Sequence, residues 1–204
     1  MWWNDIAVLG DNLACDQGWA TGIAPTARVE PGAVLDDTGG PIAVGAGTTI
    51  CAGATLKGPI AIGRDCLIGN QSMVRGPALI EDGVRIGFAT EIKNALLRKG
   101  ATIGPMCFVA DSIVDEEAYL GAQVRTSNQR LDRAPVAVVH RGERVETGMA
   151  KLGCWIGARA SLGIQVIVLP GRVIASESLF EPRFTVDRNY PAGRYRVVQT
   201  VEAY

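Results

Sequence analysis

Three cationic side chains recur at a fixed interval. Lys57, Arg75 and Lys93 lie 18 residues apart, and each directly follows an aliphatic residue: Leu56, Val74 and Ile92. If that interval is one turn of a coiling chain, the three stand in a vertical column with backbones about 4.8 Å apart. Like charges stacked so closely repel by about 1 kcal/mol per pair in water, and by more in a cleft. A phosphate or pyrophosphate relieves that repulsion and accepts several donors at once. The bland reading of the same column is a row of outward Lys and Arg that solvates a sheet face and deters edge aggregation. Equivalent positions on the other two faces hold Gly45, Gly63 and Glu81, then Cys51, Gly69 and Gly87, so one face is cationic and another is nearly bare backbone.

Other chemistries are excluded by count. His140 is the single histidine, so a three-histidine zinc site cannot be assembled within one chain, and no zinc spacing occurs; no metal is expected. Cys15, Cys51, Cys66, Cys107 and Cys154 are scattered and odd in number, which suits reduced thiols in a cytoplasm better than a disulfide framework. Twenty basic and 21 acidic side chains leave a net charge of -1, so neither nucleic acid nor an anionic membrane is expected as a partner. The opening MWWNDIAVLGDNLACDQGW has no cationic leader region, and no window reaches the ~18 apolar residues of a membrane helix. The expectation is a soluble, cytoplasmic protein.

The elements that must hold the column are read from a period of six. An aliphatic residue stands at Val44, Ile50, Leu56, Ile62, Ile68, Val74, Ile80, Ile86 and Ile92 without a miss. The run resumes as Leu97, Ile103, Val109, Val114 and Leu120, and again as Ile156, Leu162, Val168 and Ile174; Ile23, Val29 and Leu35 precede it. Six fits neither the 3.6 of an amphipathic helix nor the 2 of a plain strand. The residue four positions on is usually small (Thr48, Ala54, Cys66, Ser72, Ala78, Thr90, Cys107), and Gly often follows the aliphatic directly. The pattern predicts a short strand, a turn and another short strand, with one large and one small side chain pointing inward. Cys66, Cys107 and Cys154 fall on the small inward sites and are expected to pack there.

Two breaks interrupt the period: DDTGG at 36–40, and a longer one at 126–151, within which PVAVVHRGERVET reads as a hairpin arm around His140. The expected organisation is a lead segment at 1–22, the repeat at 23–180 and a C-terminal extension at 181–204 ending in a strand with Val197, Val198 and Val201. No helix is expected anywhere.

The hexads resemble those of the hexapeptide-repeat transferase family. That resemblance implies an all-β, left-handed parallel β-helix, normally a homotrimer; the 21 aliphatic positions make about seven coils, with an inserted hairpin arm and a C-terminal strand extension. A closer resemblance lies in MVRGPALIEDGVRIGFATEIKNALLRKGATIGPMCFVADSIVDEEAYLGAQVRTSN and the later VETGMAKLGCWIGARASLGIQVIVLPGRVI. These are similar to the acetyltransferase half of bifunctional sugar-1-phosphate nucleotidyltransferase/glucosamine-1-phosphate N-acetyltransferases. The resemblance covers roughly residues 25–180 and implies acetyl-CoA or another acyl-CoA as co-substrate. It places the family's phosphate-gripping arginine on Arg75, its lysine on Lys93 and an acceptor-site asparagine on Asn128, so the column Lys57, Arg75, Lys93 coincides with the family's sugar-phosphate site.

The departures fall on the proton-transfer groups. Where the family has a histidine base, this chain has Pro105, which neither accepts nor donates a proton. The family's tyrosine is replaced by Phe108, another asparagine by Tyr119, and its G-A-G-T turn by Gly121-Ala122-Gln123-Val124. Candidate replacement bases are Glu91, Asp111 and His140; with an acceptor amine of low pKa, positioning alone supplies much of the rate. Two functions follow. One is an acyl-CoA-dependent acyltransferase acting on a phosphorylated sugar or nucleotide-sugar-type small molecule. The other is a noncatalytic trimeric sugar-phosphate-binding or regulatory module that keeps the column and discards the base. A carbonic anhydrase of the same fold needs three zinc histidines and is excluded.

Overall fold

The computed structural model describes residues 1–14, 22–200 and 202. From Gly22 onward the chain winds as a parallel β-solenoid, each coil laying a short strand on each of three faces. One face is a nine-stranded sheet running from Arg28–Val29 to Arg194–Tyr195. The other two belong to a single 13-stranded sheet, because Met73–Ile80, Glu91–Leu97 and Phe108–Val114 continue round the corner between them. This is the parallel β-helix that the period of six predicts.

The coil count differs from the expected seven, since nine rungs stack on the first face. Counting only aliphatics omits Thr126, Phe180 and Tyr195, and ending the repeat at 180 omits Val186; all four stand in the strand ladders. Thr126 is fully buried yet satisfied, because its Oγ1 accepts the Ala110 amide at 2.9 Å. The rungs therefore run on beyond residue 180, and the terminal strand is Arg194–Tyr195, with Val197 and Val198 exposed outside it. Val201 lies outside the described residues.

The sequence pattern has a direct steric cause. The large inward residues form one column-filled core in which Ile50, Leu56, Ile68, Ile86 and Ile92 have no exposed surface. Gly follows the aliphatic where coils touch most closely: a Cβ at Gly69 would stand 2.6 Å from the Ile86 carbonyl, and one at Gly87 2.7 Å from the Pro105 nitrogen. The small inward residue often has a polar tip because that glycine's carbonyl faces the interior. Thr48, Ser72 and Thr90 each donate 2.7 Å hydrogen bonds to the carbonyls of Gly63, Gly87 and Gly104 in turn, and Cys107 Sγ reaches Gly121 at 3.1 Å. A buried hydroxyl is tolerated only with such a partner.

The last coils end in four aromatic rings. Phe180 stacks on Tyr195 with centroids 4.9 Å apart, Phe184 and Tyr190 close around them edge-on, and Arg188 lies 4.8 Å over Tyr190. At the first coil, Ile23, Val29 and Val34 are instead more than a third exposed.

A second apolar cluster lies outside the solenoid. Two short helices, Trp2–Ala7 and Leu9–Ala14, stand where no helix was expected. Trp2, Trp3 and Ile6 pack against Leu96, Ile113, Val136, Val138 and Leu152, with Leu79, Trp155 and Val173 alongside. An antiparallel ribbon of Ala137–His140 and Glu143–Glu146 completes this buttress. The ribbon does not stand free as an arm: Val136 and Val138 are buried in the cluster, which holds it against the face. No helix among the described residues is long and apolar enough to cross a membrane.

Candidate functional site

The 18-residue interval does become a vertical column. Lys57 pairs in register with Arg75, and Arg75 with Lys93; Asp36 occupies the same position one rung before and Ala110 one rung after. The side chains are not bare cations, however. Arg75 Nε donates to Glu91 Oε1 at 2.9 Å and Nη2 donates to the same oxygen. Lys93 Nζ lies 3.5 Å from Asp111 Oδ2. Among the described residues no ion pair involves Lys57, which faces Asp36 across one register step. Hydrogen bonds from the Thr38 hydroxyl and amide hold the Asp36 carboxyl below the ordinary range, with the Lys57 charge adding to the effect. The repulsion expected between stacked cations is thus relieved by interleaved carboxylates, Glu91 on Arg75 and Asp111 on Lys93.

Asp111 is the buried centre of the arrangement, with 4% of its surface exposed. It accepts from Asn94 Nδ2 at 2.7 Å, from Asn128 Nδ2 and, more loosely, from Lys93. Both Asn94 and Asp111 sit in the left-handed region, at φ 43 and 49, where the strands turn the corner from one face to the next. Asn and Asp are the non-glycine residues that adopt this conformation most readily, so the corner itself explains their presence. Asn128 arrives just after the strand Arg125–Thr126, and the long insertion is pinned back to this corner by Leu152 N to Asn128 O and Gly153 N to Asp111 O, both 2.8 Å. Asn94 Oδ1 is buried with no donor. Sequence reasoning passed over Asn94; its signal was the Lys-Asn step at a corner position in EIKN.

The corner before the cationic face is apolar. Backbone bonds from Met106 N to Phe88 O, Gln123 N to Pro105 O and Gln165 N to Ala122 O stack Phe88, Pro105, Ala122 and Ile164 in one column. Phe88 and Ile164 of that column are 53% and 49% exposed, with Met106, 42% exposed, in the column beside it; together they form an apolar ridge. Glu91 opens the strand that follows this corner, in register with Phe108.

The structure thus brings Arg75, Glu91, Lys93, Asp111 and Asn128 together and sets Lys57 one rung away. His140 belongs to the buttress, its ring edge-on to Trp3 with centroids 5.7 Å apart. The inward cysteines are inert packing groups. Burial pushes the Cys66 and Cys107 thiols up, and that of the fully enclosed Cys154 up to about 12.

No model of a protein family matches the chain. A putative uncharacterized acetyltransferase, YaiX, of Escherichia coli K12 is 57% identical over 166 residues, which is 81% of this chain and 72% of that protein. The chain belongs to this family of hexapeptide-repeat acetyltransferases. A more distant relative is the bifunctional sugar-1-phosphate nucleotidylyltransferase/acetyltransferase of Sulfurisphaera tokodaii, 32% identical over 111 residues, 54% of this chain and 28% of that one. Among solved structures, a UDP-N-acetylglucosamine acyltransferase from Francisella novicida superposes with a TM-score of 0.54 at 12% identity, over 80% of this chain and 55% of that one. That likeness shows the solenoid fold alone.

Proposed function

We propose that this acetyltransferase moves an acyl group from acyl-CoA to the amine of a phosphorylated sugar or nucleotide-sugar-type acceptor. The observation that carries the reading is the register of Lys57, Arg75 and Lys93 on successive rungs, with Asn128 joined to Lys93 through Asp111. The acceptor phosphate takes Lys57, Arg75 and Lys93 as charge-assisted donors, and Asn128 orients the sugar beside it. The relative from Sulfurisphaera tokodaii, named for sugar-1-phosphate chemistry, supports this acceptor class.

Acyl-CoA supplies the activated acyl group as the second substrate. The exposed ridge of Phe88, Met106 and Ile164 borders the charged face and suits the apolar parts of its pantetheine arm, which lies toward the later coils. The reading includes a homotrimer, whose contacts cover sheet face left exposed in one copy. It also places the protein in a reducing cytoplasm, where Cys66, Cys107 and Cys154 remain thiols.

Thermal shift with two ligands tests the reading. Acetyl-CoA and glucosamine 1-phosphate are each expected to raise the melting temperature, because a ligand held only by the folded state stabilises it. A protein stabilised by the sugar phosphate and indifferent to acetyl-CoA is a noncatalytic binding module, the reading that Pro105 favours. Indifference to both ligands removes the proposed site.

A further inference from the structure

The ligand-free site leaves the proton without an acceptor. The column through Pro105 contains no titratable side chain, and the two nearby carboxylates are both engaged by cations. They are engaged differently. Asp111 is 6% exposed at its side chain and already accepts from two asparagine amides as well as Lys93, so it has neither the access nor a vacant oxygen to receive a proton from a substrate. Glu91 is 34% exposed, and its recorded side-chain partner is a single guanidinium, that of Arg75, itself 41% exposed.

We propose that Arg75 and Glu91 form a ligand-operated switch in which the acceptor's phosphate takes over the guanidinium and the released Glu91 carboxylate becomes the proton acceptor. The proposal rests on the acyltransferase reading above and deepens it. A phosphate dianion outcompetes a single carboxylate for a guanidinium fork, because it carries more charge and is gripped at the same time by Lys57 and Lys93. Once displaced, the Glu91 carboxylate has lost its guanidinium partner and has an oxygen free to receive the acceptor's proton. The charged groups around Glu91 are Arg75 on the preceding rung, Lys93 on its own strand, Asp111 at the corner and Arg125 two rungs on; its register neighbours Met73 and Phe108 are uncharged. Occupation of Arg75 and Lys93 by phosphate therefore leaves Glu91 without its guanidinium partner.

The step balances without a further reactant. Glu91 takes one proton from the acceptor ammonium, and the free amine attacks the acyl carbon. One N–C bond forms and the C–S bond breaks. The departing sulfur carries off the second proton of the nitrogen, and Glu91 returns its own to water. The acetyltransferase thereby gains a base only when the correct acceptor is seated, which suppresses transfer to other amines and to water.

The test uses opposite signs in one variant. Inorganic phosphate binding is measured by calorimetry, and acetyl transfer from acetyl-CoA to glucosamine 1-phosphate by chromatography, on the full chain. Glu91→Gln is expected to bind inorganic phosphate at least fivefold more tightly, having lost the competing carboxylate, and to transfer at least 100-fold more slowly. Arg75→Ala is expected to lose both. If Glu91→Gln binds phosphate no tighter, or transfers at the wild-type rate, the switch is overturned while the acyltransferase reading stands. A wild-type protein that neither binds phosphate nor transfers overturns the reading and the switch with it. Circular dichroism separates these outcomes from misfolding, and Glu91→Asp, which keeps the carboxylate, is expected to recover part of the rate.

Discussion

On the buttressed face the outward residues beside the repeat read Leu79, Leu96, Ile113, Trp155 and Val173; round one corner the outward column reads Lys57, Arg75, Lys93 and Ala110. The same three strands contribute to both faces, so backbone and register are shared and only the side chains differ. The apolar column is covered by two helices and a ribbon that bring their own tryptophans. The charged column is left to solvent and satisfied by carboxylates one rung away. A β-solenoid fixes its coils through the inward residues alone, which leaves each outer surface free to be a docking face or a binding face without altering the scaffold.

Removing the cover should give the largest effect. Trp3→Ala opens a cavity among residues that are almost fully buried and is expected to cost about 3–5 kcal/mol in urea denaturation. The loss belongs to the buttress, so the helices and the ribbon at 137–146 should become protease-sensitive before the coils do. Simultaneous loss of both would show that the two regions are one cooperative unit.

The charged face should respond in the opposite currency. Lys93→Ala is expected to weaken sugar-phosphate binding by about 1–3 kcal/mol and to cost less stability than Trp3→Ala, since Asp111 keeps hydrogen bonds from Asn94 and Asn128. Unchanged binding in calorimetry would take the column out of the site.

The smallest effect sharpens the comparison from beneath. Cys154, directly before Trp155, sits under the buttressed face, and burial raises its thiol from 9.0 to about 12. A group raised on folding contributes its full stability below the unfolded value and loses it as the pH climbs from 9 toward 12. Stability should therefore fall by roughly 1.4 kcal/mol per pH unit above 9 from this group. Cys154→Ala is expected to flatten that alkaline slope, measured by thermal melts between pH 8 and 11.

Much of this was legible in the chain. Nine aliphatics in register, with small residues four positions on, specify the coil, and the 18-residue spacing specifies the register of Lys57, Arg75 and Lys93. Thr126 and the aromatic positions escaped because an inward slot accepts any side chain that fills its volume and satisfies its polar atoms. Pairing of a carboxylate with Lys93 was foreseeable, and Asp111 makes it; the Arg75–Glu91 pair escaped because Glu91 reaches back across two register positions, a contact set by rotamers rather than by period. The buttress had a signal that went unread. Leu79, Leu96, Ile113, Trp155 and Val173 each stand one residue before a core aliphatic, so a column pointing outward was apolar and needed a cover. Trp2, Trp3 and Ile6 supply it, in a segment too short to announce itself as a helix.

The four rings that stack at the final coils cover the apolar core at the last rungs of the solenoid, where Phe180 would otherwise face solvent. Around Ile23, Val29 and Val34, by contrast, the first rungs leave apolar surface exposed among the described residues. Among the described residues the two poles therefore differ in kind, one sealed by rings and the other apolar and open.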